Sequence, residues 1–416
     1  MTEPVLRSKE QTNWAVLGAG EGGNKIACMF LDRKHASIGN RITLINTAQA
    51  DMENAVRETV KRIGTSGTVV PQITIGRHMF GDNTGAGNDP FEGERFATQY
   101  YDTAIVRALR SAGIDKADAM LSLCALGGGT GNGSVPYIIK ATRERGGAGL
   151  QNMRHFVFAA WPHESEAKQK HANAVAGLSR LLMLEESGKR NADFVMLCDN
   201  NRLAEIVVQE GNKPDWPDIN RVIRDALDLF TIGGQDAEGV MDVKNFIQGG
   251  QKQVGLHHFT CGVALDNDPE VVTLEKAFDF ALRRAFMAVN LQTVTMAYVL
   301  VRAPAHLKGS DDFTYKAIAD TFERWHTKRM NLRVGMHSFI TSPTKKDGFD
   351  VLVVLGGFDL RPLMQQHRHK LQEQIAMAEN IPDEPHRAKR LKKIDQNLES
   401  YLARMTKLHE MVGVKS

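Results

Sequence analysis

Cysteine is scarce: the 416 residues hold 4, at Cys28, Cys124, Cys198 and Cys261, and no two form a C-x-x-C pair. That spacing excludes a disulfide framework and a cysteine-built zinc site. Long apolar runs are also lacking. The longest, residues 296–301 and 351–355, suit strands, far short of the roughly 20 apolar residues of a membrane helix. The first eleven residues are polar and mixed in charge, with no apolar signal core, so a cytosolic protein without a membrane segment is expected. Repeats and low-complexity tracts are absent. His257-His258 and His367/His369 have no acidic or cysteine partner at ligand spacing, so no metal ligand is assigned.

What is present is ordinary globular composition, 42% hydrophobic and 24% charged, in a chain long enough for two or three domains. The net charge of +3 is unevenly placed. Residues 361–416 carry eleven Lys or Arg against seven Asp or Glu, while residues 1–360 carry 41 against 42. A solvated helix face or an acidic partner would each suit that basic end, and its densest run is Arg387-Ala388-Lys389-Arg390-Leu391-Lys392-Lys393.

Along the first half, short β-rich runs (residues 14–17, 41–45, 119–124, 155–160 and 194–198) alternate with helical spacing at 92–109 and 164–184. This alternation implies right-handed crossovers and a doubly wound parallel sheet that binds ligands at the carboxyl ends of its strands. A helix is expected over 218–230. Residues 258–358 then read as an α+β layer with its own core, with helices near 269–289 and 311–325 and strands at 258–264, 295–301, 333–340 and 349–355. Residues 360–411 read as helix broken near 382–385. The expected class is α/β, with a nucleotide-binding domain (1–210), a connecting helix and catalytic loop (211–250), a smaller second domain (251–358) and a helical tail (359–416).

Glycine loops supply the chemistry. Gly18-Ala19-Gly20-Glu21-Gly22-Gly23-Asn24 follows the first strand, and Thr84-Gly85-Ala86-Gly87-Asn88-Asp89-Pro90 precedes a helix. Gly127-Gly128-Gly129-Thr130-Gly131-Asn132-Gly133 lies between a buried strand and a helix. Five unhindered glycines there offer consecutive N–H groups at a helix N-terminus, a cradle for a di- or triphosphate, with the Thr130 hydroxyl as one more donor. The lysine of G-x-x-x-x-G-K-[ST] is missing, so backbone dipoles and a cation must carry the phosphate charge. A dinucleotide enzyme would need an acid on the ribose where Ile45-Asn46-Thr47 stands, which weighs against an oxidoreductase.

The third loop resembles the tubulin/FtsZ signature G-G-G-T-G-x-G. The first loop (Gly20, Glu21, Gly22, Gly23 and Asn24, with Lys25 after it) resembles that family's first nucleotide loop. Gly85-Ala86-Gly87-Asn88 resembles its third, and Asn46-Thr47 the N-T after the second strand. Residues 161–167 and 199–203 look similar to TubZ, the branch that segregates plasmid and phage DNA. The resemblance implies GTP and GDP binding with Mg²⁺, and phosphates held by Gly127, Gly128, Gly129, Thr130, Gly131 and Asn132. Asn24, Asn200 and Asn220 would contact the nucleotide, and Glu166 the ribose. An Asn amide can read guanine's donor and acceptor edge without burying charge.

Glu21 departs from the family, and a carboxylate there would need Mg²⁺ between it and phosphate. The resemblance also implies head-to-tail polymers in which the next subunit completes the active site. Of the two acidic positions expected after the connecting helix, Asp242 fills the second and Gly239 the first. Either Glu238 substitutes, or Asp242 acts alone and hydrolysis is slow. The implied roles are plasmid or phage DNA partition through a DNA-bound adaptor on the C-terminal tail, or FtsZ-type division or cell shape. A nucleotide-binding structural protein of low turnover is the alternative from another class.

Overall fold

A computed structural model of the chain describes residues 12–31, 37–63, 70–74, 85–184, 190–211, 213–232, 237–238, 254–342, 345, 347–381 and 385–413. The first half is the expected alternation. Strands β1 (Trp14–Ala19), β2 (Ile42–Asn46), β3 (Gln72–Thr74), β4 (Ala119–Ala125), β5 (Arg154–Trp161) and β6 (Phe194–Asp199) pair in parallel in the order β3-β2-β1-β4-β5-β6. Both faces of such a sheet are covered by helices, which is why β1, β2 and β4–β6 are almost wholly buried and mostly apolar.

The covering helices are α1 (Gly20–Cys28), α2 (Gln49–Ile63), α3 (Pro90–Tyr100), α4 (Val106–Ser111), α5 (Thr130–Arg145), α6 (Lys168–Leu181) and α7 (Asn200–Gln209). Two of them differ from the periodicity. The single helix expected over 92–109 is interrupted by a wide π-turn at Tyr101–Ile105, which places the fully buried Tyr101 hydroxyl 3.0 Å from Thr142 Oγ1. The helix expected from 164 starts only at Lys168. Side chains hold the preceding backbone in a turn: Glu166 Oε1 accepts the His163 N–H, and Asn201 Oδ1 accepts the Glu164 N–H.

The connecting helix α8 (Trp216–Ile232) is amphipathic and buries Ile219, Val222, Ile223, Ala226, Leu227, Leu229 and Phe230. Phe230 packs against Trp14, Phe156 and Phe194. Beyond it lie β7 (Ala237–Glu238), β8 (His258–Asn267), α9 (Leu274–Arg283), β9 (Met296–Pro304), α10 (Tyr315–Thr327), β10 (Val334–Ser342) and β11 (Phe349–Gly356).

Residues 258–358 do not form the separate core expected of them. β8 pairs in parallel with β6, and Phe194 stacks on Phe259 at 3.9 Å, so one sheet in the order β6-β8-β11-β9-β10-β7 and one buried cluster run through both halves. An ionic tie reinforces the join: Arg302 of β9 reaches Asp228 of α8 and Asp350 of β11.

The tail is a helical pair, α11 (Arg361–Glu379) and α12 (Pro385–Met411), packed on α6. Much of its basic run is engaged within the molecule: Arg387 pairs with Asp89, Arg390 with Glu94, and Lys392 with Glu379. Nothing in this packing supports the DNA-bound adaptor expected on the tail. Among the described residues, no helix is long and apolar enough to cross a membrane.

Candidate functional site

β1 and β4 are neighbours whose crossovers leave in opposite directions, so a crevice opens beyond their carboxyl ends. Five helices start around it: α1 at Gly20, α2 at Gln49, α3 at Pro90, α5 at Thr130 and α7 at Asn200. Each contributes partial positive charge from unpaired N–H groups, so their combined field favours an anion. The cleft has a volume of about 300 Å³, the lower end of small-molecule sites.

Most residues singled out from the sequence line it: Gly20, Glu21, Gly22, Asn46, Gly85, Ala86, Gly87, Asn88, Gly127, Gly128, Gly129, Thr130, Gly131, Glu166 and Asn200. Three loops far apart in the chain therefore meet at one place. Their glycines serve two ends. A Cβ on Gly131 would stand 2.5 Å from the Ala19 carbonyl, and one on Gly129 2.7 Å from the Asp89 N, so these two let the loops approach each other. Gly128 has nothing closer than 4.0 Å and leaves its backbone open to the cleft.

Hydrogen bonds fix the walls. Asn46 Oδ1 accepts the N–H groups of Thr47 and Ala48, while its buried Nδ2 has no partner among the described residues. An orphaned donor in a cleft wall suits a ligand acceptor. Asp199 caps α7 by accepting the Asn201 N–H, and burial raises its carboxyl despite that bond. Glu166 pairs with Lys170 at 2.6 Å, and Glu21 with Lys25 at 2.7 Å.

Other predicted residues sit elsewhere. Gly23, Asn24, Lys25, Asn132 and Asn220 are not among the cleft-lining residues. α1 starts at Gly20, so Asn24 lies in its second turn, fully buried with both amide atoms unpartnered among the described residues. A Cβ on Gly23 would strike the Leu123 carbonyl at 2.0 Å, which makes that glycine a packing requirement. Asn132 donates to the carbonyls of Leu126 and Asn173, bracing the loop from behind. Asn220 is half-buried on α8. Asp242 and Gly239 lie outside the described residues, and Glu238 is described only by its backbone, opposite Phe339.

Sequence reasoning missed Lys170 and Asp51, both of which line the cleft. The glycine loop has no lysine of its own, yet α6 brings one in. Its position four residues after Glu166, one helical turn along, was the available signal. Burial raises the Asp51 carboxyl, with the Glu21 charge adding and Lys25 opposing.

Comparison with known proteins follows the same outline. The profile of the Tubulin/FtsZ family, GTPase domain, matches residues 13–208. The chain carries a tubulin/FtsZ GTPase domain. Cell division protein FtsZ 1 of Archaeoglobus fulgidus is 25% identical over 319 residues, 75% of this chain and 73% of that protein. Tubulin-like protein CetZ2 of Haloferax volcanii is 24% identical over 387 residues, 89% of this chain and 95% of that one. The solved GTPγS-bound protofilament of the same CetZ2 superposes with a TM-score of 0.65 at 20% identity, covering 87% of this chain and 99% of that one. That likeness establishes the tubulin/FtsZ fold. These relatives are FtsZ and CetZ proteins, so the expected likeness to TubZ is corrected, and the support for plasmid partition goes with it.

Proposed function

We propose that the protein binds GTP and GDP in this cleft, hydrolyses GTP and polymerises head to tail, acting in cell division or cell shape. One observation carries the reading: three glycine loops and five helix N-termini converge on a single polar cleft beyond β1 and β4. The CetZ2 relative solved as a GTPγS-bound protofilament, and the division proteins among the relatives, support the filament part.

In this reading the amides of residues 127–131 hold the terminal phosphates, with the Thr130 hydroxyl beside them. Asn46 Nδ2 donates to an acceptor of the nucleotide, Glu166 and Lys170 meet the ribose and phosphate side, and Asn200 faces the base. Glu21 and Asp51 bring two carboxylates into a cleft meant for an anion, and burial, with the Glu21 charge adding to it, raises the Asp51 carboxyl. That arrangement fits a divalent cation. Among the described residues no three ligands of His, Cys, Asp or Glu type gather as a metal site, so phosphate and water would supply most of the coordination of a Mg²⁺. When bound, the ion neutralises charge developing on the phosphate oxygens. Asp242, alone or together with Glu238, would come from the next subunit to orient the attacking water.

The test pairs light scattering with phosphate release in GTP, GDP and a non-hydrolysable analogue. Assembly in GTP with phosphate release is expected. Assembly without release would support the low-turnover alternative. Failure to retain any guanine nucleotide in Mg²⁺ would sink the reading.

A further inference from the structure

One buried side chain on α6 holds two of the glycine loops together. Asn173, 5% exposed, donates from Nδ2 to the Asn88 carbonyl at 2.7 Å and to the Gly127 carbonyl at 3.0 Å. Its own backbone carbonyl accepts from Asn132 Nδ2 at 2.8 Å, so the loop around 127–132 is tied to α6 at two points. The grip also orients a donor. In a trans peptide the C=O and the following N–H point in opposite directions. Drawing the Gly127 carbonyl toward α6 therefore turns the Gly128 N–H away from it, toward the cleft that Gly128 lines.

The same side chain connects to the tail. Asn173 Oδ1 accepts from Gln169 Nε2 at 3.0 Å, and Gln169 Oε1 accepts from Gln374 of α11. A second route runs from α12. Arg387 donates to Asp89 Oδ2 at 2.7 Å, while Asp89 Oδ1 caps α3 through the Phe91 N–H at 3.0 Å. The guanidinium groups of Arg387 and Arg390 lie 5.1 and 4.4 Å from the Phe91 ring centre. The first route ends on the carbonyls of Asn88 and Gly127, and the second on Asp89, the residue that follows Asn88 and caps α3. Leu371, Leu391 and Ile394 of the pair and Ala172 and Ala176 of α6 line a small gap between the two routes.

We infer that Asn173 is a positioning residue for the nucleotide loops and that the C-terminal helical pair α11–α12 clasps them through Gln374 and Arg387, so docking of this pair and nucleotide binding strengthen each other. The inference rests on the cleft being a nucleotide site. Coupling of this kind is reciprocal: whatever the docked pair adds to nucleotide affinity, the nucleotide must add to docking. A purely structural role for these contacts would not make the helices respond to ligand.

The experiment uses the full chain. Hydrogen exchange of residues 387–394 is followed with and without GTP in Mg²⁺, and GTP affinity is titrated for the unaltered chain, for Gln374→Ala/Arg387→Ala, and for that pair with Arg387→Lys in place of Arg387→Ala. Asn173→Asp, of nearly the same shape but without the two donors, is titrated beside them. Loss of one or two hydrogen bonds at the loops predicts GTP binding weaker by about threefold to tenfold in the double variant and in Asn173→Asp. Partial recovery is expected with Arg387→Lys, and about threefold or more slowing of exchange by GTP in the unaltered chain. If the unaltered chain binds GTP while exchange over 387–394 stays the same and the variants bind within about twofold of it, this inference alone is overturned. If the unaltered chain binds no guanine nucleotide, the functional reading falls and this inference with it. The hydrogen-exchange arm needs no substitution, so a variant that fails to fold does not remove the test.

Discussion

The hydroxyls of Thr47 and Thr130 lie 2.5 Å apart, both in buried residues, and join the turn after β2 to the first residue of α5. Neither loop alone would fix the other's position on the cleft wall. Thr47→Val keeps the volume but leaves the Thr130 hydroxyl unpartnered, which should cost about 1–3 kcal/mol of stability. Removing both hydroxyls leaves no orphan, so Thr47→Val/Thr130→Val should be closer to the unaltered protein than the two single losses added together. Urea unfolding of the four proteins checks this, and strict additivity would disprove the coupling.

Two glycines that look alike in the sequence should behave oppositely. An added Cβ at Gly23 meets the Leu123 carbonyl at 2.0 Å, inside the sheet–helix contact, where backbone cannot yield. Gly23→Ala should therefore destabilise the fold by about 1–3 kcal/mol or more, seen as a lower denaturation midpoint. At Gly128 the nearest atom is 4.0 Å away, so Gly128→Ala should fold normally and instead crowd the ligand. Equilibrium titration with GTP should show weaker binding for Gly128→Ala at an unchanged midpoint. A folded, stable Gly23→Ala would contradict the first half, and an unchanged GTP affinity in Gly128→Ala the second.

This division explains what the sequence could and could not disclose. Strand–helix alternation set the parallel half of the sheet correctly because β1, β4 and β5 are buried on both faces and carry almost no polar residues. The glycine loops marked the cleft because few other residues permit such close backbone approach. Spacing alone could not say which glycine faces ligand and which faces a neighbouring strand, since both uses demand the same missing side chain. Lys170 was hidden for a related reason: it enters from α6, and only the folded chain shows that the first turn of α6 borders the 127–131 loop. The continuity of the two halves likewise depends on β8 lying beside β6, a pairing with no local signature.

Acid should weaken the protein through its buried histidines. His258 is fully buried between the Tyr401 hydroxyl at Nδ1 (2.8 Å) and the Phe358 carbonyl at Nε2 (2.7 Å). A carbonyl only accepts, so Nε2 carries the proton and Nδ1 accepts from Tyr401. Burial lowers this imidazole from 6.5 to about 4, with the Phe358 bond opposing and His409 adding. Because the unfolded chain binds the proton more readily, stability is complete above about pH 6.5 and is lost as pH falls toward 4. His155 and His257, also buried and pushed well below 6.5, act in the same direction. His258 alone should remove about 2 kcal/mol between pH 7 and pH 5, an order-of-magnitude figure. Urea midpoints measured at the two pH values test it, and equal stability at both would contradict the buried neutral state.

The hydrolytic step is best tested at the pair that follows the connecting helix. If Asp242 orients the attacking water from the neighbouring subunit, Asp242→Ala should still bind GTP and assemble, because the cleft residues lie on the other side of the contact. Phosphate release should fall by about a hundredfold or more, the usual range for losing a water-positioning carboxylate. Polymers of that variant should then persist, since the γ-phosphate that strengthens the subunit contact is no longer removed. Glu238, whose backbone pairs with Phe339 at the edge of the sheet, decides between the two arrangements open from the sequence. If it substitutes for the acid missing at Gly239, Glu238→Ala should slow phosphate release to a similar degree. If Asp242 works alone, only Asp242→Ala should do so. Light scattering after GTP depletion, with phosphate measured in parallel, reads both, and an Asp242→Ala polymer that disassembles at the ordinary rate would remove Asp242 from the mechanism.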